Sequence, residues 1–213
     1  MDGLQIRVYS TVDPMKNASI EDAKRLAEFT DELVTFIGVL AAEGERSLVI
    51  GGAARIEVAV EKLLKAVMPR HARGKDDDLF APDRPLGTFS AKIKLADRLG
   101  LLGGDVEHAL QMIRKIRNDF AHATTDIRLL QPPHADRVRE IVNSVRIDSA
   151  FDRIYDKFSP LVARSGRSAK RNELVASLAV AFSFIGVVLD FAAWRNEPFK
   201  AEYVANFGVR KKP

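Results

Sequence analysis

Apolar residues recur at helical spacing along most of the chain. After Ser19 and two acidic residues, apolar positions repeat every three or four residues, which predicts a first helix at 19–42. Gly44 interrupts this pattern, and a second periodic run ends ahead of Pro69. Two long helices joined by a short link are typical of an antiparallel helical hairpin.

The helical pattern continues after a long loop. The segment 69–87 carries three prolines and mixed charge, which is incompatible with one regular element. Thr88 or Ser90 is predicted to cap the next helix, and a further helix is predicted at about 105–121. A turn-rich connector, another helical pattern and an apolar helix at about 172–194 follow. We therefore predict an all-α fold, a single-domain bundle of six or seven helices.

The length of 213 residues suits one domain with a sizeable core. We divide the chain into an N-terminal arm at 1–18, a helical core at 19–164, and a C-terminal apolar helix and basic tail at 165–213 that pack on the core. The arm contains IRVYSTV, the one run with a strand-like pattern.

The composition indicates a cytoplasmic protein. The chain has no cysteine, which excludes disulfides, thiolate zinc sites and cysteine nucleophiles and suits a reducing cytosol. Its first residues lack the basic and apolar segments of a secretory signal. The sixteen uncharged residues between Glu173 and Asp190 fall short of the roughly 20 that a membrane span requires. We expect a buried central helix and no membrane contact.

The four histidines lack the spacing of a metal site, so we expect no metal and no cofactor. The Gly51-Gly52 pair in VIGGAAR lacks the lysine of a phosphate loop and indicates close helix packing instead. The acidic run Asp76, Asp77 and Asp78 indicates a solvated patch.

The segment IRNDFAH, 116–122, brings an arginine, an asparagine and a histidine to the end of a predicted helix. On a helical wheel Arg114 and Arg117 lie on one flank, while Lys115, Asn118 and His122 lie opposite the apolar stripe. The apolar stripe consists of Ala109, Met112, Ile113, Ile116 and Phe120. The polar side chains together frame one surface.

Two interpretations of this surface remain open. The Cβ directions of Arg117 and His122 diverge by about 140°, so the two could share a ligand only through side-chain reach or across a subunit boundary, which favours a dimer. Alternatively, Arg117 pairs with a carboxylate and His122 caps the last carbonyls of the helix.

Two segments in the middle of the chain resemble a known family. RPLGTFSAKIKLADRLGLL, 84–102, followed by ALQMIRKIRNDFAH, 109–122, is similar to the core of the mannitol operon repressor (MltR-like) family of small all-helical bacterial proteins. The second segment also resembles the R-x-x-x-x-H motif of the HEPN superfamily (higher eukaryote and prokaryote nucleotide-binding), with Arg117 and His122 in the named places. The resemblance implies an HEPN-like helical protomer that forms homodimers.

Several HEPN proteins are metal-independent ribonucleases whose paired motifs meet at the dimer interface. The resemblance then implies that His122 exchanges a proton with an RNA 2′-hydroxyl or 5′-oxygen, that Arg117 holds the phosphate, and that Asn118 supports them. Arg114, Arg117 and Lys115 are the candidate nucleic-acid-binding residues.

The mannitol repressor resemblance implies a regulatory, repressor-like role through protein or nucleic-acid contacts, with RNA or a protein as the possible partner. The net charge of +4 is small for a double-helix binder and no helix-turn-helix pattern stands out, so we do not expect sequence-specific DNA binding. The alternatives are a metal-independent endoribonuclease and a non-catalytic helical dimerisation adaptor.

Overall fold

A computed structural model describes residues 19–68, 78–146, 149–163 and 168–196. Its helices are α1 Ile20–Glu43, α2 Glu45–Val67, α3 Phe89–Arg98, α4 Gly104–His122, α5 His134–Val145, α6 Ser149–Ala163 and α7 Ala169–Arg195. A short 3-10 turn spans Asp78–Phe80, and the described residues form no strand. The predicted all-α, single-domain bundle is confirmed. The arm at 1–18, with its IRVYSTV run, and the acidic residues Asp76 and Asp77 lie outside the described residues.

The helical hairpin at the start of the bundle follows from local capping signals. The Ser19 hydroxyl accepts a hydrogen bond from the Asp22 amide at 3.1 Å, and the Asp22 carboxylate accepts one from the Ser19 amide at 2.7 Å. This capping box fixes the start of α1. Gly44 alone links α1 to α2, with a φ of 154° that favours glycine. The predicted hairpin is therefore present.

The last helix, α7, lies at the centre of the bundle and packs against α1, α2, α5 and α6. It is long and apolar enough to cross a membrane, but 72% of its most apolar window is buried inside the protein. Such burial is typical of the core helix of a soluble protein, as predicted for this segment.

Two glycines of α2 allow close approach, Gly52 to α7 and Gly51 to α1. A Cβ placed on Gly52 would lie 2.5 Å from the ring of Phe182, and one on Gly51 would lie 2.8 Å from a Leu40 methyl. The glycine pair of VIGGAAR therefore serves helix packing, as expected from its position in a helical pattern.

One charge is buried within this apolar contact. Asp190 of α7 is paired with Arg55 of α2 and lies 3.6 Å from the Lys62 ammonium group. The two cations compensate a carboxylate that would otherwise be costly to bury. Asp190, which ends the uncharged run of α7, thus links α7 to α2 through an ion pair.

Candidate functional site

A pocket of about 310 Å³ lies between the start of α3 and the middle of α4. We call it the arginine pocket, and its lining residues are Glu57, Gly87, Thr88, Phe89, Ser90, Arg114, Arg117 and Asn118. The two sequence segments that carry the family resemblance each supply one wall of it. The fold thus brings the sequence segments PLGTFS, 85–90, and IRKIRN, 113–118, together at one site.

The α3 wall is fixed by the loop that precedes it. The Gly87 amide donates to the Arg84 carbonyl at 2.9 Å, and a Cβ on Gly87 would lie 2.6 Å from the Pro82 carbonyl oxygen. Only glycine fits there without moving the backbone. The Thr88 hydroxyl then caps α3 by accepting a hydrogen bond from the Ala91 amide at 3.2 Å, which confirms one of the two predicted caps.

The α4 wall carries the two arginines of the pocket, Arg114 and Arg117. The Arg114 Nε donates to the Gln111 side chain at 3.1 Å, and an Arg117 Nη donates to the Asn118 Oδ1 at 3.1 Å. Both side chains are half-buried. Within the described ranges neither guanidinium lies at ion-pair distance from an acidic group. Each keeps most of its five N–H donors available.

The carboxylate in the pocket lining, Glu57, is already paired. Lys92 of α3 is buried, and its ammonium group donates to Glu57 and to Glu61 at 2.9 Å each. Burial disfavours the charged form of Lys92, yet its hydrogen bonds to Glu61 and Glu57 hold the pKa of this ammonium group above its ordinary value. Among the described residues, Glu57 therefore pairs with Lys92, and neither Arg114 nor Arg117 forms an ion pair.

The remaining predicted residues lie outside this pocket. Lys115 is exposed on another face of α4, and His122 is the exposed last residue of the helix. In the part of the chain that the structure describes, the His122 imidazole has no hydrogen-bonding partner. The fold thus groups Asn118 with Arg114 and Arg117, whereas the helical wheel grouped Asn118 with His122.

Asp119, inside the IRNDFAH segment, anchors α4 to α5. Its carboxylate is paired with Arg137 and lies 3.3 Å from Nε2 of the buried His134. Nδ1 of His134 lies 3.2 Å from the Arg128 carbonyl oxygen, and its ring meets that of Phe120 edge to face, with centroids 5.4 Å apart. These side chains support the helix that carries the arginines.

A second cleft of about 500 Å³ lies beyond the end of α4, but its cations are engaged. Arg46 donates to the Ala123 carbonyl at 2.9 Å and so caps α4, while Arg171 is paired with the buried Glu45. Glu45 also accepts a hydrogen bond from the Leu129 amide at 3.0 Å. The arginines of this cleft hold parts of the fold together. The arginine pocket is therefore the stronger candidate for binding.

Sequence reasoning missed Glu57 and Lys92 as parts of the site. The signal was present, since Lys92 lies on the apolar stripe of α3 between Phe89, Ile93 and Ala96, all of them buried. A lysine in such a position needs a carboxylate partner. Thr88 and Ser90 were recognised only as possible caps.

Comparison with known proteins gives one informative match. No model of a known protein family and no curated protein sequence matches the chain. Its fold resembles that of a chain in the X-ray structure of the MtlR-HPr complex from Escherichia coli. The TM-score is 0.56 at 15% sequence identity, over 76% of this chain and 99% of that chain. The chain has an MtlR-like fold. At this identity the similarity establishes the fold alone.

Proposed function

We propose that this chain is a bacterial regulatory protein of the mannitol repressor type that acts by binding a protein partner. The arginine pocket is part of its binding surface. Two findings support this role. The chain has an MtlR-like fold, and the two segments that resemble the mannitol repressor family, 84–102 and 109–122, line the same pocket.

The composition of the arginine pocket is the observation that carries the proposal. Its lining contains two arginines, an amide and two hydroxyls, and it contains no histidine. A general acid or base must lie within about 3 Å of the reacting atom. The lining's one carboxylate, Glu57, is held by Lys92, so the pocket is suited to holding a ligand or partner.

The partner class follows from the structural neighbour, since MtlR is found in complex with HPr. We propose a protein of the HPr type as the partner of this chain. The test is isothermal titration calorimetry of the purified chain against HPr encoded in the same genome. We expect saturable binding, weakened about tenfold or more by Arg114→Gln combined with Arg117→Gln, because arginines are frequent anchors of interfaces.

Lys115→Gln is the matched control, because it removes an exposed cation of the same helix outside the pocket. It should leave affinity within about twofold, as expected for an energetically neutral surface position. No detectable heat with the parent chain would refute the HPr-type partner, and an equal loss in the control would refute the role of the pocket.

A second candidate function is the metal-independent HEPN-type endoribonuclease, with Arg117, Asn118 and His122 as catalytic residues. It is supported by the exposure of His122, which leaves the imidazole accessible to RNA or to a second copy of the chain. Labelled single-stranded RNA incubated in EDTA should be cut by the parent and spared by His122→Ala and Arg117→Ala. Intact RNA with all three proteins would remove this candidate.

A third candidate is a homodimerisation adaptor in the cytoplasm. Phe36 and Val39 lie one turn apart on α1 and are 42% and 56% exposed, which favours an apolar contact with another molecule. Light scattering coupled to size-exclusion chromatography should give twice the monomer mass for the parent and the monomer mass for Val39→Glu. A parent that stays monomeric at high concentration would exclude the dimer.

A further inference from the structure

We propose that the arginine pocket binds the phosphate group of a small phosphate monoester. This inference rests on the proposed role of the pocket as a binding site, and it does not depend on the identity of the protein partner.

The charge of the pocket favours an anionic ligand. Arg114 and Arg117 are half-buried and have no acidic partner among the described residues, while Glu57 is held by Lys92. A cation that is partly removed from water is costly unless an anion or hydrogen-bond acceptors compensate it. An anionic ligand between the two guanidinium groups would supply both the negative charge and the hydrogen-bond acceptors.

The hydrogen-bonding groups of the lining also favour a phosphate. The Asn118 Oδ1 is used by Arg117, which leaves its NH₂ group to donate. The Thr88 Oγ1 accepts from the Ala91 amide, which leaves its hydroxyl proton to donate. With the Ser90 hydroxyl and the two guanidinium groups, donors outnumber the one carboxylate of the lining, Glu57, which already accepts from Lys92. An ionised phosphate has only acceptor oxygens and forms strong bidentate pairs with arginine.

The size and shape of the pocket favour a small ligand. The volume of about 310 Å³ lies at the low end of the range of about 300 to 1,000 Å³ for small-molecule sites. Phe89, the aromatic residue in the lining, is buried and offers no face for a base to stack on. Single-stranded nucleic acids are held largely by such stacking. A compact phosphate monoester fits better than a polynucleotide.

The test is calorimetric titration of the purified chain alone with glucose 6-phosphate, inorganic phosphate and glucose at fixed salt. We expect glucose 6-phosphate and inorganic phosphate to bind and glucose to give no heat. Arg114→Gln and Arg117→Gln should each weaken phosphate binding about tenfold, since each removes charge-assisted hydrogen bonds. Lys115→Gln, with the same change in net charge, should bind within about twofold of the parent.

Ser90→Asp provides a variant that should fold normally. An acidic side chain in the first turn of α3 is favourable for the helix, yet it would occupy the anion position itself. Circular dichroism should show an unchanged or higher unfolding midpoint, together with loss of phosphate binding. Equal affinity for glucose and its phosphate, equal losses in Lys115→Gln and Arg117→Gln, or absence of binding by the parent would each overturn the proposal. Because HPr is absent from these titrations, failure of HPr binding and failure of phosphate binding are separate results.

Discussion

Replacing Lys92 by methionine tests whether the buried charge cluster stabilises the fold and prepares the arginine pocket. The Lys92 side chain is 6% exposed and bridges Glu57 and Glu61, which are 19% and 23% exposed. Methionine keeps an unbranched apolar stem of similar length but removes the ammonium group. The variant therefore leaves the packing of α3 on α2 largely intact and deprives both carboxylates of this partner.

The expected cost lies between those of a buried and a surface ion pair. Removing one partner of a buried pair costs about 3–5 kcal/mol, whereas exposed pairs contribute about 0–1 kcal/mol. Since both carboxylates retain some contact with water, we expect a loss of about 2–3 kcal/mol in the free energy of unfolding. For a chain of this size the melting temperature should fall by about 4–12 °C.

Urea denaturation followed by circular dichroism measures this change, with Lys94→Met as the control. Lys94 is exposed on the same helix, and its replacement should change stability by no more than about 0.5 kcal/mol. Adding Glu57→Gln to Lys92→Met should recover part of the loss, because one unpaired carboxylate disappears. A Lys92→Met variant as stable as the parent would refute the reasoning. Phosphate binding should also weaken in this variant, because the released Glu57 carboxylate then competes for the arginines.

Further substitutions at four positions, Gly51, Gly52, Thr88 and Glu61, test other parts of the structure. Gly52→Ala should lose about 1–3 kcal/mol of unfolding free energy, because its methyl group meets the buried Phe182 ring. Gly51→Ala should cost less, since its added methyl group meets only the end of the Leu40 side chain, and equal losses in urea denaturation would contradict this. Thr88→Ala should lose about 1 kcal/mol and Thr88→Ser much less, as measured by melting, because serine retains the cap. The pKa of Glu61 lies below its ordinary value of 4.5, since hydrogen bonds from lysines outweigh the opposing effect of burial. The hydrogen bonds of the Glu61 carboxylate therefore stabilise the folded state fully above the ordinary pKa of 4.5. This stabilisation is lost as pH falls through the lower pKa of Glu61 in the folded state. The stability difference between parent and Glu61→Gln should therefore be largest near neutral pH and vanish in acid; a constant difference would contradict the assignment.

Most of the helix boundaries that could be predicted depend on capping and turn residues that act on their sequence neighbours. Ser19, Gly44 and Thr88 each act on their own neighbours, so the start of α1, the α1–α2 link and the start of α3 are visible in the sequence. The bounds of α6 could not be predicted in the same way. That helix contains Pro160 in its last turn, which interrupts the helical pattern there.

The arginine pocket could be predicted only in part. A helical wheel orders residues around one axis, so it identified Arg114 and Arg117 as neighbours on α4. It contains no information about the element packed alongside, and the contribution of α3 therefore appeared only in three dimensions. The roles of Arg117 and His122 in RNA cleavage and the homodimer stay predictions.

The central position of α7 has a consequence for how the chain is made. The ribosome releases α1 to α6 before α7, so four helices emerge with the apolar surfaces that will contact it still uncovered. The bundle can close only when the 27 residues of α7 are available, which makes completion of the fold depend on contacts between distant parts of the chain. A nascent chain arrested before Ala169 should therefore be sensitive to protease and bound by chaperones, whereas release of α7 should end both.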